Sequence, residues 1–332
     1  MGTLACIITG FEVVARNPEL IVLPLLLDLF LWLGPRLSVA PILKSLKDFL
    51  AQVFVTGGGA LSGVSDSYAL AGQVLDELSR GFNLFAVLNP GPLLGLPVLT
   101  PTRLSALRPF GEQPAIELGS FLLVFVAMGA LAVLGLGMNA LYLRSVGRRV
   151  IDETESSLPG PRGPFTIWGK FTKLAMVVFF MVFSFMGMLS VLASVVGVFS
   201  MALAGLVMTL ASSMILFLAV HLMFTIPGIV QLRRGVLQAM RESLLLTRAD
   251  FLNVLFLLGL VFVISQGLNV VWTLPEPESW ATLIGLGGHA FVATALTAAL
   301  FVFYQERLGF IELLKQMYAA QAKEAPVQPS GG

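Results

Sequence analysis

The chain of 332 residues is 57% hydrophobic and only 12% charged, with a net charge of +1. A mean hydropathy of +0.90 excludes an ordinary soluble globular domain and places the chain in the membrane class. Scattered Lys and Arg give no concentrated basic face, so nucleic acid is not an expected partner. The lone cysteine, Cys6, excludes an intrachain disulfide and any cysteine-based zinc centre.

Thr3 to Ala15 carries Leu4, Ile7, Ile8, Phe11 and Val14 at helical spacing, which predicts a short amphipathic helix lying flat at the membrane interface. Asn17, Pro18 and Glu19 form a helix-start signature for a first span over residues 19–40, with Pro24 a kink and Gly34-Pro35 a weak outer end. Ser38-Val39-Ala40 superficially resembles a signal-peptide cleavage site. The apolar run starts late, Asp28 interrupts it and Pro41 follows the would-be cut, so the segment reads as a retained span.

Residues 41–116 form a long insertion between spans. Pro41 to Val55 and Ser67 to Ser79 read as amphipathic helices separated by the Gly57 to Gly59 break, followed by a Pro-rich and Leu-rich loop around Asn89-Pro90-Gly91-Pro92. Phe82, Leu84, Phe85, Leu93, Leu94 and Leu96 are too apolar for a free linker, and two covers are open: the membrane surface or a partner chain.

The second span covers residues 117–143 and leads into a basic loop with Arg144, Arg148, Arg149, Arg162, Lys170 and Lys173, turned by Pro159-Gly160-Pro161. Leu174 to Leu232 then contains no Asp, Glu, Lys or Arg. A bilayer core about 30 Å thick takes roughly 20 residues per helix, so this run makes a hairpin of two spans, 171–197 and 202–229, with the turn near Gly197 to Ala202. An amphipathic interfacial helix follows over 231–250, then spans at 251–272 and 280–304, an amphipathic helix from Glu306 to Ala322, and a disordered tail at 324–332. The expected fold is all-α, a polytopic membrane protein with six transmembrane helices and interfacial amphipathic helices.

With that count, 14 of the 20 Lys and Arg fall on the side of the N-terminus. Five of the other six lie in the long insertion, where the positive-inside rule is weak, and the short outer links have none. Both termini are therefore expected on the cytoplasmic face of a cell membrane, specifically a bacterial cytoplasmic membrane.

Ionisable groups inside a membrane are costly and mark sites worth testing. Asp28 lies roughly 14 Å from the inner end of span one and His221 roughly 12 Å from the inner end of span four, at 1.5 Å per residue, so the two are expected to meet as an intramembrane polar pair. They would fix helix register or relay a proton or ion. His289 and Gln266 share a similar depth in the outer half, which points to a hydrogen bond. Haem ligation by His221 and His289 is disfavoured by their different depths, and no cofactor or metal is expected.

Ser184, Gly187, Ser190, Ser194 and Gly197 form a small-residue stripe along span three, read as helix packing, with a substrate path as the alternative. The Met residues between Met176 and Met223 read as adaptable packing. Arg233, Arg234, Arg241 and Arg248 suit contact with lipid headgroups, or equally solvated topology marking. Asp152, Glu153 and Glu155 have no nearby His, and no HExxH, GxSxG, P-loop or dinucleotide fingerprint occurs, so an enzyme is not expected.

The run from Gly235 through Met240-Arg241-Glu242-Ser243 to Thr247-Arg248, leading straight into a span, and the segment Phe303-Tyr304-Gln305-Glu306-Arg307 resemble a group of six-span bacterial membrane proteins. That group includes the membrane domain attached to some glycerophosphodiester phosphodiesterases. The resemblance covers residues 120–320 and implies a six-helix bundle without catalysis, the phosphodiesterase domain being a separate soluble unit; the 41–116 insertion departs from it. The functional expectation is a non-enzymatic protein of scaffolding, assembly or membrane organisation, with membrane lipids as partners and residues 41–116 as the docking surface for a protein. A small-molecule, lipid or ion transporter or channel is the alternative.

Overall fold

The computed structural model describes residues 2–56, 62–89, 96–102 and 107–324. Helix α1, Thr3–Arg16, ends at Asn17, whose side-chain amide donates to the Val13 carbonyl and so closes the last turn. After a 3-10 turn at Pro18–Ile21, α2 runs over Val22–Leu33, and strand β1 follows at Arg36–Ser38. Helices α3, Ala40–Thr56, and α4, Ser62–Gly81, form a hairpin clasped by Lys47 and Asp76 at 2.7 Å. Two short 3-10 turns come next, then β2 at Leu107–Arg108, β3 at Gly111–Glu112 and β4 at Ala115–Glu117. β1 pairs in parallel with β4 and β2 antiparallel with β3.

The remaining chain is helical. It comprises α5 at Phe121–Glu153, α6 at Pro164–Phe199, α7 at Met201–Leu222, α8 at Thr225–Gln231, α9 at Val236–Ala249, α10 at Phe251–Thr273 and α11 at Thr282–Glu324. Among the described residues, five segments are long and apolar enough to cross a bilayer: α5, α6, α7 with α8, α10 and the first part of α11. The architecture is that of a multi-pass α-helical membrane protein. The hairpin turn falls where expected, at Ser200, whose hydroxyl accepts from Leu203 N at the start of α7.

The first span differs from its expected bounds. The segment 19–40 becomes a 3-10 turn, a 12-residue helix and a strand, because Gly34 and Pro35 stop α2 rather than weaken it. Twelve residues rise only about 18 Å, so α2 alone is too short to count as a spanning helix. It nevertheless joins opposite ends of the bundle. Glu19 just before α2 pairs with Arg149 near the end of α5 at 2.7 Å, whereas Trp32 at its far end donates from Nε1 to the Pro277 carbonyl in the α10–α11 link. The end carrying Arg149, Glu153 and Gln305 is called the basic end below, and the end carrying the α10–α11 link the opposite end.

Helix α1 is packed into the body instead of lying free at an interface. Its Cys6, Ile7, Gly10, Val13 and Val14 are buried, and a Cβ at Gly10 would sit 2.5 Å from the Ala295 carbonyl oxygen and 2.8 Å from the Ala299 Cβ of α11. Ala290, Ala295, Ala298 and Ala299 are likewise fully buried, so small side chains on both helices permit close backbone approach where apolar attraction between helices is lost to lipid. Similar contacts join α5 to α8 and α11, where a Cβ at Gly147 would meet Val230 and Phe301. The basic loop is also shorter than expected: α5 continues ten residues past 143 and α6 begins at Pro164, at the first helical position that proline favours.

Candidate functional site

Beyond α4, residues 84–88 and 96–99 turn into the bundle. Leu84, Leu88, Leu96, Val98 and Leu99 are buried, Phe85 meets Phe30 edge-on at 5.1 Å, and the Leu88 carbonyl occupies the place a side chain at Gly135 of α5 would need. Leu84 and Leu96 therefore have their cover within this chain; Leu93 and Leu94 lie outside the described residues.

Irregular backbone at membrane depth is tolerated only where its polar groups are satisfied within protein. Asp28 meets that need. Its carboxylate, fully buried, accepts the Leu99 N–H at 2.9 and 2.8 Å and the Thr100 N–H at 2.7 Å, while the Thr100 hydroxyl donates to the Asp28 carbonyl at 3.2 Å. The orphan carbonyls at the end of α2 are met in the same way. Gln113 Nε2 donates to the Leu31 and Trp32 carbonyls at 2.8 and 2.7 Å, and Arg108 donates to that of Leu33. Leu99, Thr100, Arg108 and Gln113 thus pair with α2 over its second half.

Asp28 and His221 are not brought together. Leu99, which Asp28 holds, packs with Trp32 and Leu286 toward the opposite end. His221 lies at the basic end, in the last turn of α7, where its ring lies 3.9 Å from that of Phe217 and 6.2 Å from that of Phe251. Its Nδ1 meets the Phe217 carbonyl at 2.8 Å, and its own carbonyl accepts the Ser243 hydroxyl of α9 at 2.6 Å. The span runs over Met201–Gln231 much as expected, but its helix breaks after Leu222, and His221 sits beside that break against α9.

Gln266 is exposed on α10, His289 is half-buried on α11, and no hydrogen bond joins them among the described residues. The two histidines also lie far apart. Gly288, next to His289, abuts Trp272 at the end of α10, whereas His221 stacks on Phe251 at its start.

The small-residue stripe faces outward. Ser184, Gly187, Ser190 and Ser194 are exposed, Gly187 has nothing near its Cβ position, and the Ser190 and Ser194 hydroxyls donate to Gly187 and Ser190 carbonyls of their own helix. Only Gly197 makes the expected close approach, 3.5 Å from Ala204 in α7. Close packing within the chain falls to Gly10, Gly135, Gly147 and Gly288.

The four arginines of the α9 region play different parts. Arg233, in the left-handed region at φ 59, donates to the Pro159 and Gly160 carbonyls at 2.7 and 3.0 Å. Arg234 pairs with Glu242 at 3.1 Å, and Arg241 and Arg248 are exposed. Beneath them, sequence reasoning missed a buried polar set. Thr225, Gln231, Thr247 and Tyr304 are almost fully buried, and their side-chain polar atoms have no hydrogen-bond partner among the described residues. Gly228 supplies the room for Tyr304, whose hydroxyl would lie 3.0 Å from a Cβ there. Only the phrase Phe303-Tyr304-Gln305 drew attention to it. In α1, burial and the nearby Glu306 carboxylate push the Cys6 thiol above its ordinary range.

Comparison of the chain with family models, with curated proteins and with solved structures found no match.

Proposed function

We propose that the chain is a non-enzymatic scaffolding or assembly protein of the bacterial cytoplasmic membrane, with six crossings, the first made by the short α2, and both termini in the cytoplasm. The six-crossing count is supported by Glu19 and Trp32 bonding to opposite ends of the bundle. The likeness to the membrane domain of glycerophosphodiester phosphodiesterases belongs to the same reading, since that domain is separate from the catalytic unit.

The observation that carries the assembly role is the α3–α4 hairpin. It packs on itself, is tied to the body at its base by Arg36 donating to the Arg80 carbonyl and Asn83 Oδ1 accepting from Leu37 N, and leaves Phe49, Val53, Leu70 and Val74 exposed. With Leu84, Leu88, Leu96, Val98 and Leu99 of the insertion buried in the bundle, this hairpin is the docking surface. A photo-crosslinking residue at Phe49 or Leu70, in protein taken from its native membrane, should capture one stoichiometric partner identifiable by mass spectrometry. A chain that emerges alone, crosslinked to lipid, would overturn the assembly role. The second reading, a small-molecule, lipid or ion transporter, draws on the break between α7 and α8 and on buried Gln231 and Tyr304.

A further inference from the structure

The described cations of the basic end are either paired with a carboxylate or not, the exposed Arg241 and Arg248 of α9 being among the latter. Arg16 pairs with Glu153, Arg148 with Asp152, Arg149 with Glu19, Arg234 with Glu242 and Arg307 with Asp250. Arg144, Arg162, Lys170, Lys173 and Arg233 pair with no carboxylate among the described residues. Four of these gather where the start of α6 meets the link between α8 and α9, and Lys173 follows Lys170 by three residues, on the same side of α6. Lys170 Nζ donates to the Arg233 and Arg234 carbonyls at 3.0 and 2.6 Å, Arg233 grips the turn at Pro159 and Gly160, and Arg144 Nε donates to the Arg162 carbonyl at 2.9 Å. Arg162 lies near enough to Lys170 for their like charges to repel. Carbonyl partners hold Arg144, Lys170 and Arg233 in place without neutralising them, and among the described residues the Arg162 and Lys173 heads carry no hydrogen bond. Holding five like charges together calls for a counter-anion.

We propose that this cleft binds the phosphodiester headgroup of one anionic phospholipid. The anion is assigned to a lipid because the cluster sits at the edge of the run from Leu174 to Leu232, which holds no Asp, Glu, Lys or Arg, and has interfacial aromatics beside it. Phe165 is 80% exposed and lies 6.3 Å from the Trp168 ring, whose Nε1 donates to the Val133 carbonyl on α5. Such a pair of rings sits at headgroup level, with acyl chains alongside α5 and α6. The site is therefore distinct from the exposed Arg241 and Arg248 on α9, and it stands whether the protein scaffolds or transports.

The test uses the full chain, delipidated in detergent, and reads lipid adducts by native mass spectrometry with phosphatidylglycerol, phosphatidylcholine or inorganic phosphate added separately. The wild type should retain phosphatidylglycerol over phosphatidylcholine and ignore inorganic phosphate. The double variant R162Q/K173Q, which alters two exposed heads without partners among the described residues and so should leave the melting temperature unchanged, should weaken that adduct on the order of tenfold. R241Q/R248Q removes the same charge elsewhere and should leave it within about twofold. Equal loss in both variants, no preference for the anionic lipid, or equal occupancy by inorganic phosphate would each overturn the proposal.

Discussion

Asp28 accepts the backbone N–H of Leu99 with both carboxylate oxygens, at 2.9 and 2.8 Å, and so ties α2 to a segment 71 residues downstream. Removing the carboxylate leaves buried donors without an acceptor, which costs more than the bonds themselves contribute. Asp28→Ala should destabilise the protein by on the order of 3 kcal/mol, and Asp28→Asn, which keeps one acceptor, by about 1 kcal/mol. Thermal unfolding in detergent measures both. Equal losses would mean that charge at Asp28, not the acceptor geometry, holds the segment.

Glycines in α1 and α6 should respond in opposite ways. A side chain at Gly10 collides with Ala295 and Ala299 backbone atoms that cannot rotate away, whereas Gly187 faces open space. Gly10→Leu should cost about 1–3 kcal/mol or more and loosen α1 from α11, and Gly187→Leu should be silent. Disulfide trapping between engineered cysteines on α1 and α11, run beside the melting curves, separates a displaced helix from global unfolding.

Cys6 should be a slow thiol. The thiolate is the reactive species, and raising the pKa lowers its fraction at every pH below that value. Maleimide labelling at pH 8 should therefore lag that of the unfolded chain and rise with pH over a range displaced upward from an exposed cysteine. Rapid labelling of the intact protein would show that α1 leaves α11 readily.

Asp250 and Arg307 close the basic end where α10 begins. They approach to 2.9 Å with side chains 23% and 16% exposed, lacking hydrogen-bond alignment, and Arg307 also lies over Phe303 at 4.8 Å from its centroid. Breaking the pair from either side leaves a poorly solvated charge, so Asp250→Ala and Arg307→Ala should each cost about 1–3 kcal/mol, with the double variant less harmful than their sum. A double-mutant cycle in thermal stability gives the coupling directly.

Much of the helical plan was legible because it depends on local pattern. The charge-free run with its turn, the paired helices on either side of Gly57 to Gly59, and α9 followed at once by α10 all follow from periodicity and breakers. The paths of residues 82–89 and 96–102 were not legible, since apolar composition shows that Leu84 and Leu99 need cover without saying from where. Asp28 led to a search for a titratable partner, yet its partners are backbone N–H groups that every residue but proline carries. The glycines were misleading for a related reason. Gly187 in a regular stripe and Gly10 in an unremarkable helix look equivalent until the helix facing each is known.

The last turn of α2 is finished by Gln113, 82 positions after the Leu31 carbonyl it satisfies. At translation rates of about 5–20 residues per second, α2 therefore waits on the order of ten seconds for its own closing group to be made. During that interval its terminal carbonyls must be served by water or by the insertion machinery. The N-terminal segment of this protein consequently cannot mature in the order in which it is synthesised: the beginning of the chain is settled only after the far end of the insertion has returned to it.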